Sequence, residues 1–164
     1  MIILFVRHAI ALERYEWSDD DILRPLSDKG VVVAREFFSS IAPILQEADT
    51  IISSKATRAM QTADILIETL GLSSYQKDSA LNPGCTIKDV KNILSKHSNS
   101  KKLILVGHEP DFSEIISSMT SDSIIAMKLK KPSLAEVKLY DAYKGELQLL
   151  LQPKPIKKFQ GLNK

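Results

Sequence analysis

Two histidines in this chain each stand directly after a run of apolar residues, with arginines at hand. Ile2-Ile3-Leu4-Phe5-Val6 ends at Arg7-His8, and Leu103-Ile104-Leu105-Val106 ends at Gly107-His108. A shorter run, Thr50-Ile51-Ile52, leads through Ser53-Ser54 to Arg58. Guanidinium groups keep their charge and present parallel donors that match the oxygens of a phosphoryl group. A buried arginine with no anion is costly, so arginines gathered beside imidazoles imply an anionic ligand. Imidazole has a reference pKa of about 6.5, so near neutrality it is a competent nucleophile. The competing use of paired histidines is a metal centre. No HxxxH, HxH or His-carboxylate ligand spacing occurs here, and Arg7 beside His8 would repel a cation, so no metal is expected. The third histidine, His97, lies in the polar stretch Lys96-His97-Ser98-Asn99-Ser100 and reads as a solvated loop or helix-end residue.

Bringing these residues together requires strands buried on both faces. The runs 2–6 and 103–106 are continuous and rich in β-branched residues, the pattern of parallel strands covered by helices. Helical spacing fills the intervals. Ser27 is an N-cap candidate before Val31, Ala34, Phe38, Ile41 and Leu45, with Pro43 expected to bend or end that helix early. Met60, Ala63, Ile67 and Leu70 mark a second helix, stopped by Gly71. Thr86 caps a third running towards Leu94, and a fourth starts around Pro110-Asp111 with Phe112, Ile115, Ile116 and Met119 on one face. Ala135, Val137 and Leu139 then alternate with Glu136 and Lys138. After a turn at Tyr143-Lys144-Gly145, Leu147, Leu149 and Leu151 alternate in their turn, which predicts a hairpin. The expected architecture is α/β: a three-layer sandwich with a mainly parallel central sheet, helices on both faces and antiparallel strands at an edge. Ligands of such sheets bind outside the carboxyl ends of the strands, where Arg7, His8, Arg58 and His108 all fall.

The chain of 164 residues reads as one domain over 1–152, followed by a basic tail, 153–164, with Lys154, Lys157, Lys158 and Lys164 in a solvated terminus. Apolar residues make up 44% and charged residues 26%, as in ordinary soluble globular proteins. A net charge of +2, from 22 basic and 20 acidic side chains, excludes a general polyanion binder, and no nucleic-acid partner is expected. A single cysteine, Cys85, excludes an internal disulfide framework; between Gly84 and Thr86 it reads as a bystander thiol in a loop. The apolar N-terminus meets Arg7 too soon for a signal segment, and no run approaches a membrane span. The chain is expected to be a cytoplasmic monomer.

These residues resemble a known family. Leu4-Phe5-Val6-Arg7-His8-Ala9 is similar to the "RHG" motif of the histidine phosphatase superfamily, in the "RHA" form of its SixA-type phosphohistidine phosphatase branch. Arg24-Pro25-Leu26-Ser27-Asp28-Lys29-Gly30 resembles the following "RPLTxxG" stretch, and residues 53–63, from Ser53-Ser54 through Arg58 to Gln61-Thr62-Ala63, resemble "SSPxxRAxQTA". Val106-Gly107-His108-Glu109-Pro110 is similar to "VGHEP", and Leu81-Asn82-Pro83 and Lys131-Pro132-Ser133-Leu134-Ala135 also echo that branch. The likeness runs in order over about residues 2–140. It implies the phosphoglycerate mutase-like fold, a metal- and cofactor-independent phosphatase, and His8 as the nucleophile of a phosphohistidine intermediate. Arg7, Arg58 and His108 are implied to hold the phosphoryl oxygens, with Arg24 as an added phosphate or substrate contact.

The leaving group narrows the substrate. Many phosphomonoesterases of the superfamily carry an acid after the second helix; here 73–89 holds only Asp78 and Asp89, in no recognisable form of that motif. An alkoxide leaves poorly without a proton, whereas imidazole is far less basic. A phosphohistidine on a signalling or phosphotransfer protein is therefore the expected substrate. A small-molecule phosphomonoester, or phosphate binding without turnover, are the alternatives. Glu13, Glu16, Asp19, Asp20 and Asp21, between His8 and Arg24, supply an acid or form a solvated loop, and Tyr15 and Trp17 there serve as partner anchors or lid packing. Glu109 and Asp111 are expected to favour a helix N-terminus electrostatically. Ser53 and Thr57 are given only loop hydrogen bonds.

Overall fold

The apolar runs form the middle of a six-stranded sheet. The computed structural model describes residues 1–161, the side chains at 159 and 160 excepted. Strands β1 (Ile2–Arg7), β2 (Thr50–Ser53), β3 (Gln76–Lys77), β4 (Lys102–Gly107), β5 (Ser133–Leu139) and β6 (Gly145–Leu151) lie in the order β3-β2-β4-β1-β5-β6. β1, β4, β2 and β3 are mutually parallel, and β5 and β6 add an antiparallel edge. Because side chains alternate along a strand, each strand feeds both faces. Leu4, Val6, Ile51, Ile104 and Val106 pack with α1 (Asp28–Leu45) and α2 (Thr57–Leu70). Ile3, Phe5, Ile52, Leu103 and Leu105 pack with α3 (Ile87–Lys96) and α4 (Asp111–Thr120). The three-layer α/β sandwich is thus built, with two separate cores. Among the described residues no helix is long and apolar enough to cross a membrane.

Caps place the helices where the sequence marks them. Ser27 Oγ accepts from Gly30 N–H at 3.1 Å to open α1, and Thr86 with Asp89 forms a capping box on α3. Gly71 ends α2 in the left-handed region, φ 65°. His97 caps the C-terminus of α3. Gly30 matters for a different reason: a Cβ there would lie 1.9 Å from the Ile10 carbonyl oxygen, so α1 rests directly on the backbone that follows His8.

Four features depart from the sequence reading. Pro43 does not end α1 at once; the helix runs two residues further, held by Ile41 and Leu45, which are buried against the sheet. On α2 the buried residues are Arg58, Ala59, Thr62, Ala63, Ile65 and Leu66, so the expected face of Met60, Ile67 and Leu70 is only half-buried. In β6 the alternation of leucines is broken. A register shift opposite Glu136 and Val137 leaves Gln148 as an extra residue, sending Leu147 to one core and Leu149 and Leu151 to the other. Finally, Pro153–Gly161 is not a solvated tail but a fifth helix, α5, whose Ile156 packs against the first core and whose Lys157 pairs with Glu36 at 2.7 Å. Lys154 and Lys158 are exposed, and Lys164 lies outside the described residues.

Candidate active site

Strand register is what joins the two histidines. Arg7 pairs with Gly107 across β1 and β4, and the His8 amide then donates to the Gly107 carbonyl at 3.0 Å. The next residues along, His8 and His108, lie with ring centroids 5.1 Å apart. On the other side of β4 the Ser54 amide donates to the Val106 carbonyl at 2.9 Å, bringing the end of β2 to the same place. α2 starts three residues on and carries Arg58 in its first turn. Gly107 is required here because Phe112 packs onto it: a Cβ would come 2.4 Å from the Phe112 ring.

Each imidazole has one nitrogen fixed. His8 Nδ1 lies 2.7 Å from the Ala9 carbonyl oxygen, which only accepts, so Nδ1 carries the proton and Nε2 keeps the lone pair. For His108 the fixed nitrogen is Nε2, 2.9 Å from Ser54 Oγ. The Ser54 hydroxyl proton goes to Asn82 Oδ1 (2.9 Å), an oxygen that also accepts from the Lys55 amide. Ser54 Oγ accordingly accepts from the Ala56 amide and from His108 Nε2–H. His108 Nδ1 is buried without a partner. It can hold a phosphoryl oxygen only through a proton, its own or one the phosphoryl group brings.

The arginines follow the same pattern. Arg7 Nη1 donates to the Leu129 carbonyl, while its Nε is buried and unpartnered. Arg58 Nη1 donates to the Asp21 carbonyl at 2.6 Å and Nη2 pairs with Asp21 Oδ2 at 3.1 Å, its Nε again unpartnered. Arg24 Nε donates to Asp21 Oδ1 at 2.8 Å and its Nη1 to the Leu12 carbonyl. Only 3–8% of His8, Arg24, Arg58 and His108 is exposed, a degree of burial unusual for such groups. Burial works against the charge of Arg7 and Arg58; Glu109 and Asp21 respectively favour it. His8 is held well below the ordinary imidazole range, first by burial and then by His108. His108 is pushed down to about 3 by burial, Arg58 and Arg7. Both imidazoles are neutral at pH 7. A neutral nucleophilic nitrogen beside arginines with free donors is equipped to accept and hold a phosphoryl group.

Comparison with known proteins agrees with this chemistry. A sequence model described as histidine phosphatase superfamily (branch 1) matches residues 3–82, which include Arg7, His8, Arg24 and Arg58. An uncharacterized protein of Picosynechococcus sp. is 30% identical over 116 residues, covering 70% of each chain. The chain belongs to the histidine phosphatase superfamily. Its fold resembles that of the protein histidine phosphatase SixA complexed with tungstate, with TM-score 0.84 at 20% identity over 95% of this chain and 99% of that one. It also resembles the alpha-ribazole phosphatase of Shigella flexneri, with TM-score 0.75 at 12% identity over 93% of this chain and 97% of that one.

Within this superfamily member, several polar residues hold the site rather than line it. Thr62 Oγ1 accepts from the Ala9 amide at 3.0 Å, and Gln61 Oε1 accepts from the Leu26 amide at 2.7 Å. The residues following Arg58 on α2 thus pin the backbone after His8 and the loop after Arg24. The loop acids are committed as well. Glu13 and Glu16 form a capping box, Asp19 accepts from the Asp20 amide, Asp20 caps the turn Asp21–Leu23, and Asp21 faces the arginines. Asp78 and Asp89 cap Ser79–Leu81 and α3. Trp17 packs in its own loop, Nε1 donating to the Asp20 carbonyl at 3.0 Å, while Tyr15 is exposed. Ser53 Oγ donates to the Ser54 carbonyl.

Glu109 and Asp111 brace loops rather than merely offsetting a helix dipole. The Glu109 carboxylate accepts from Ser113 Oγ at 2.6 Å and from the Leu129 amide at 3.1 Å, and Asp111 accepts from the Gly84 and Cys85 amides. Both carboxylates thereby hold chain segments that come from far along the sequence. Cys85 lies in a loop and is buried there, and burial and nearby carboxylates push its thiol up to about 12, which leaves it inert. Three contributors went unassigned in the sequence: Ser54, Asp21 and the half-buried Lys131, whose ammonium feels Arg7 and Arg24. Ser54 and Lys131 stand inside motif stretches, the one signal that pointed to them.

The depressed imidazoles have a consequence for stability. Below pH 6.5 the unfolded chain binds protons at His108 that the folded chain refuses until about pH 3. The stabilising contribution is therefore complete above pH 6.5 and is lost as pH falls towards 3. Each such group gives a slope of about 1.4 kcal/mol per pH unit in that window. Urea unfolding between pH 7 and 4 is expected to show a shallower loss for His108→Asn than for the natural chain. Equal slopes would mean that His108 is not held neutral.

Proposed function

We propose that this member of the histidine phosphatase superfamily is a protein phosphohistidine phosphatase. Its substrate is a phosphohistidine presented by a signalling or phosphotransfer protein, and it works without a metal, as a monomer in the cytoplasm. In the first step His8 Nε2 attacks phosphorus and the P–N bond to the substrate imidazole breaks, that imidazole taking up a proton from solvent water. In the second, water attacks the phosphorus on His8 Nε2, releasing phosphate and returning the lone pair to His8. Arg7 and Arg58 hold the equatorial oxygens, His108 Nδ1 holds one through a proton that the phosphoryl group brings, and Arg24 stands beside them, so catalysis is positioning and electrostatics.

The observation that carries this reading is the state of Asp21, the carboxylate in contact with the arginines. Burial alone would raise its pKa, but the hydrogen bond from Arg24 and the charges of Arg58, Arg24 and Arg14 hold it below the usual carboxylate range. It is an anion, not a proton donor, so a leaving group that needs little acid assistance suits the site. A groove of about 1090 Å³, lined by Arg7, Glu109 and Ile125 among others, runs from Arg7 past α4 and offers room for a polypeptide.

The test is direct. A histidine-phosphorylated phosphotransfer protein and a panel of sugar and nucleotide phosphates are incubated with the protein, with and without a chelator. The phosphohistidine protein is expected to show a kcat/KM at least about 10²-fold above the others, unchanged by chelation. Preference for a sugar phosphate, or loss of activity with chelator, overturns the proposal.

A further inference from the structure

The mechanism above uses the arginines and leaves their shared carboxylate without a task. Asp21 lies 37 residues before Arg58, and both its backbone carbonyl and its carboxylate meet that side chain. They occupy Nη1 and Nη2, the end of the guanidinium fork. The parallel donors along the fork's side, Nε–H with the second proton of Nη2, remain for a ligand, and Nε is buried without a partner. The same carboxylate takes Nε of Arg24 and lies 3.8 Å from Nε of Arg14. Asp21 and a phosphoryl group can therefore hold Arg58 at the same time, on different edges.

Charge gives this arrangement a second effect. Arg58 and Lys131 act on both neutral imidazoles and Arg7 on His108, Arg24 stands behind Arg58 and Lys131, and the carboxylates set against these cations are Asp21, Glu109 and, towards Lys131, Glu13. Such a surplus of cations binds inorganic phosphate, the product, as readily as it binds the transferring group. Uniform tightening of this kind slows release without lowering the chemical barrier. A resident anion in contact with two of the cations offsets it.

The geometry assigns Asp21 the role of an internal counter-anion, a positioning residue that fixes the fork of Arg58 and limits how tightly the pocket keeps product phosphate. The assignment rests on the phosphatase reading for its catalytic part and on the arginine cluster alone for its binding part.

The experiment compares Asp21→Asn, Asp21→Ser and Asp21→Glu with the natural chain, and uses Asp19→Asn as a surface control. Two things are read: the dissociation constant of inorganic phosphate by calorimetry, and kcat and KM on the phosphohistidine protein. Both neutral variants are expected to bind phosphate about tenfold more tightly, because a unit negative charge has left a poorly solvated cluster. Their KM falls and their kcat falls by about tenfold, through slower release and a looser Arg58. Asp21→Glu, which keeps the charge on a longer side chain, returns the phosphate dissociation constant towards that of the natural chain, and the surface control Asp19→Asn stays within about twofold of it in both measurements. A site that had merely lost its packing would show the reverse, weaker phosphate binding and a higher KM. Weaker or unchanged phosphate binding in both neutral variants overturns the assignment. Should the natural chain hydrolyse no phosphohistidine while the neutral variants still bind phosphate tenfold more tightly, the proposed substrate falls and the counter-anion stands.

Discussion

Replacing His8 with alanine is expected to lower phosphohistidine turnover by on the order of 10⁴-fold or more while leaving the fold intact. The covalent route depends on one atom. With Nδ1 committed to the Ala9 carbonyl, Nε2 is the nitrogen that presents a lone pair, and burial keeps the ring neutral. His108, whose Nε2 is spent on Ser54, has only its Nδ1 left, the nitrogen that holds a phosphoryl oxygen, and Cys85 is buried with its thiol pushed up to about 12. Water in the emptied position would still meet Arg7, Arg58 and His108, so the variant keeps phosphate binding and loses the chemistry. The fold survives because the structural bond at this position belongs to the backbone, the His8 amide to the Gly107 carbonyl. Circular dichroism and calorimetric phosphate binding check the fold, acid-compatible trapping of labelled enzyme checks the intermediate, and residual turnover above about 1% would falsify the assignment.

How much of this was legible beforehand differs between backbone and side chains. Continuous apolar runs announce doubly buried strands, and parallel register then carries whatever follows each run to one edge; Arg7, His8 and His108 needed no more than that. Caps such as Ser27, Thr86 and Gly71 are local and were equally readable. The two-core sandwich follows from strand runs alternating with helical spacing. Hidden from that reading were contacts between segments with no periodicity. The clamp of Asp21 on Arg58 joins a polar loop to a helix start, and five acids in that loop look alike in sequence. The chain from Asn82 through Ser54 to His108 links three loops. The extra residue at Gln148 carries no glycine or proline to mark it, so a regular alternation of leucines hid a switch of face. Pro43 misled for the opposite reason: a strong local breaker sat where Ile41 and Leu45 gain more by packing than one helical hydrogen bond costs.

Arg58 is the side chain on which these hidden contacts converge, and Arg58→Ala is expected to lower kcat/KM by about 10³-fold, with Arg58→Lys recovering no more than about tenfold of it. Loss of the guanidinium removes donors aimed at the transferring oxygens and also strips Asp21 of one of its two close charge partners. Asp21 would then share only Arg24 and, further off, Arg14, so its negative charge would face the incoming phosphoryl group instead of a cation. Both effects oppose the transition state, and they explain why lysine is a poor substitute. One ammonium cannot hold the Asp21 carbonyl, the Asp21 carboxylate and two phosphoryl oxygens in fixed directions, as a planar fork with five donors does. Removing Asp21 as well should therefore restore part of what Arg58→Ala loses. In a cycle of Arg58→Ala, Asp21→Asn and the double variant, Asp21→Asn is expected to tighten phosphate binding by clearly more in the Arg58→Ala background than the about tenfold it gives in the natural chain. Strict additivity of the two changes would show that the arginine and the carboxylate act separately, and the picture of one clamped unit would have to be abandoned.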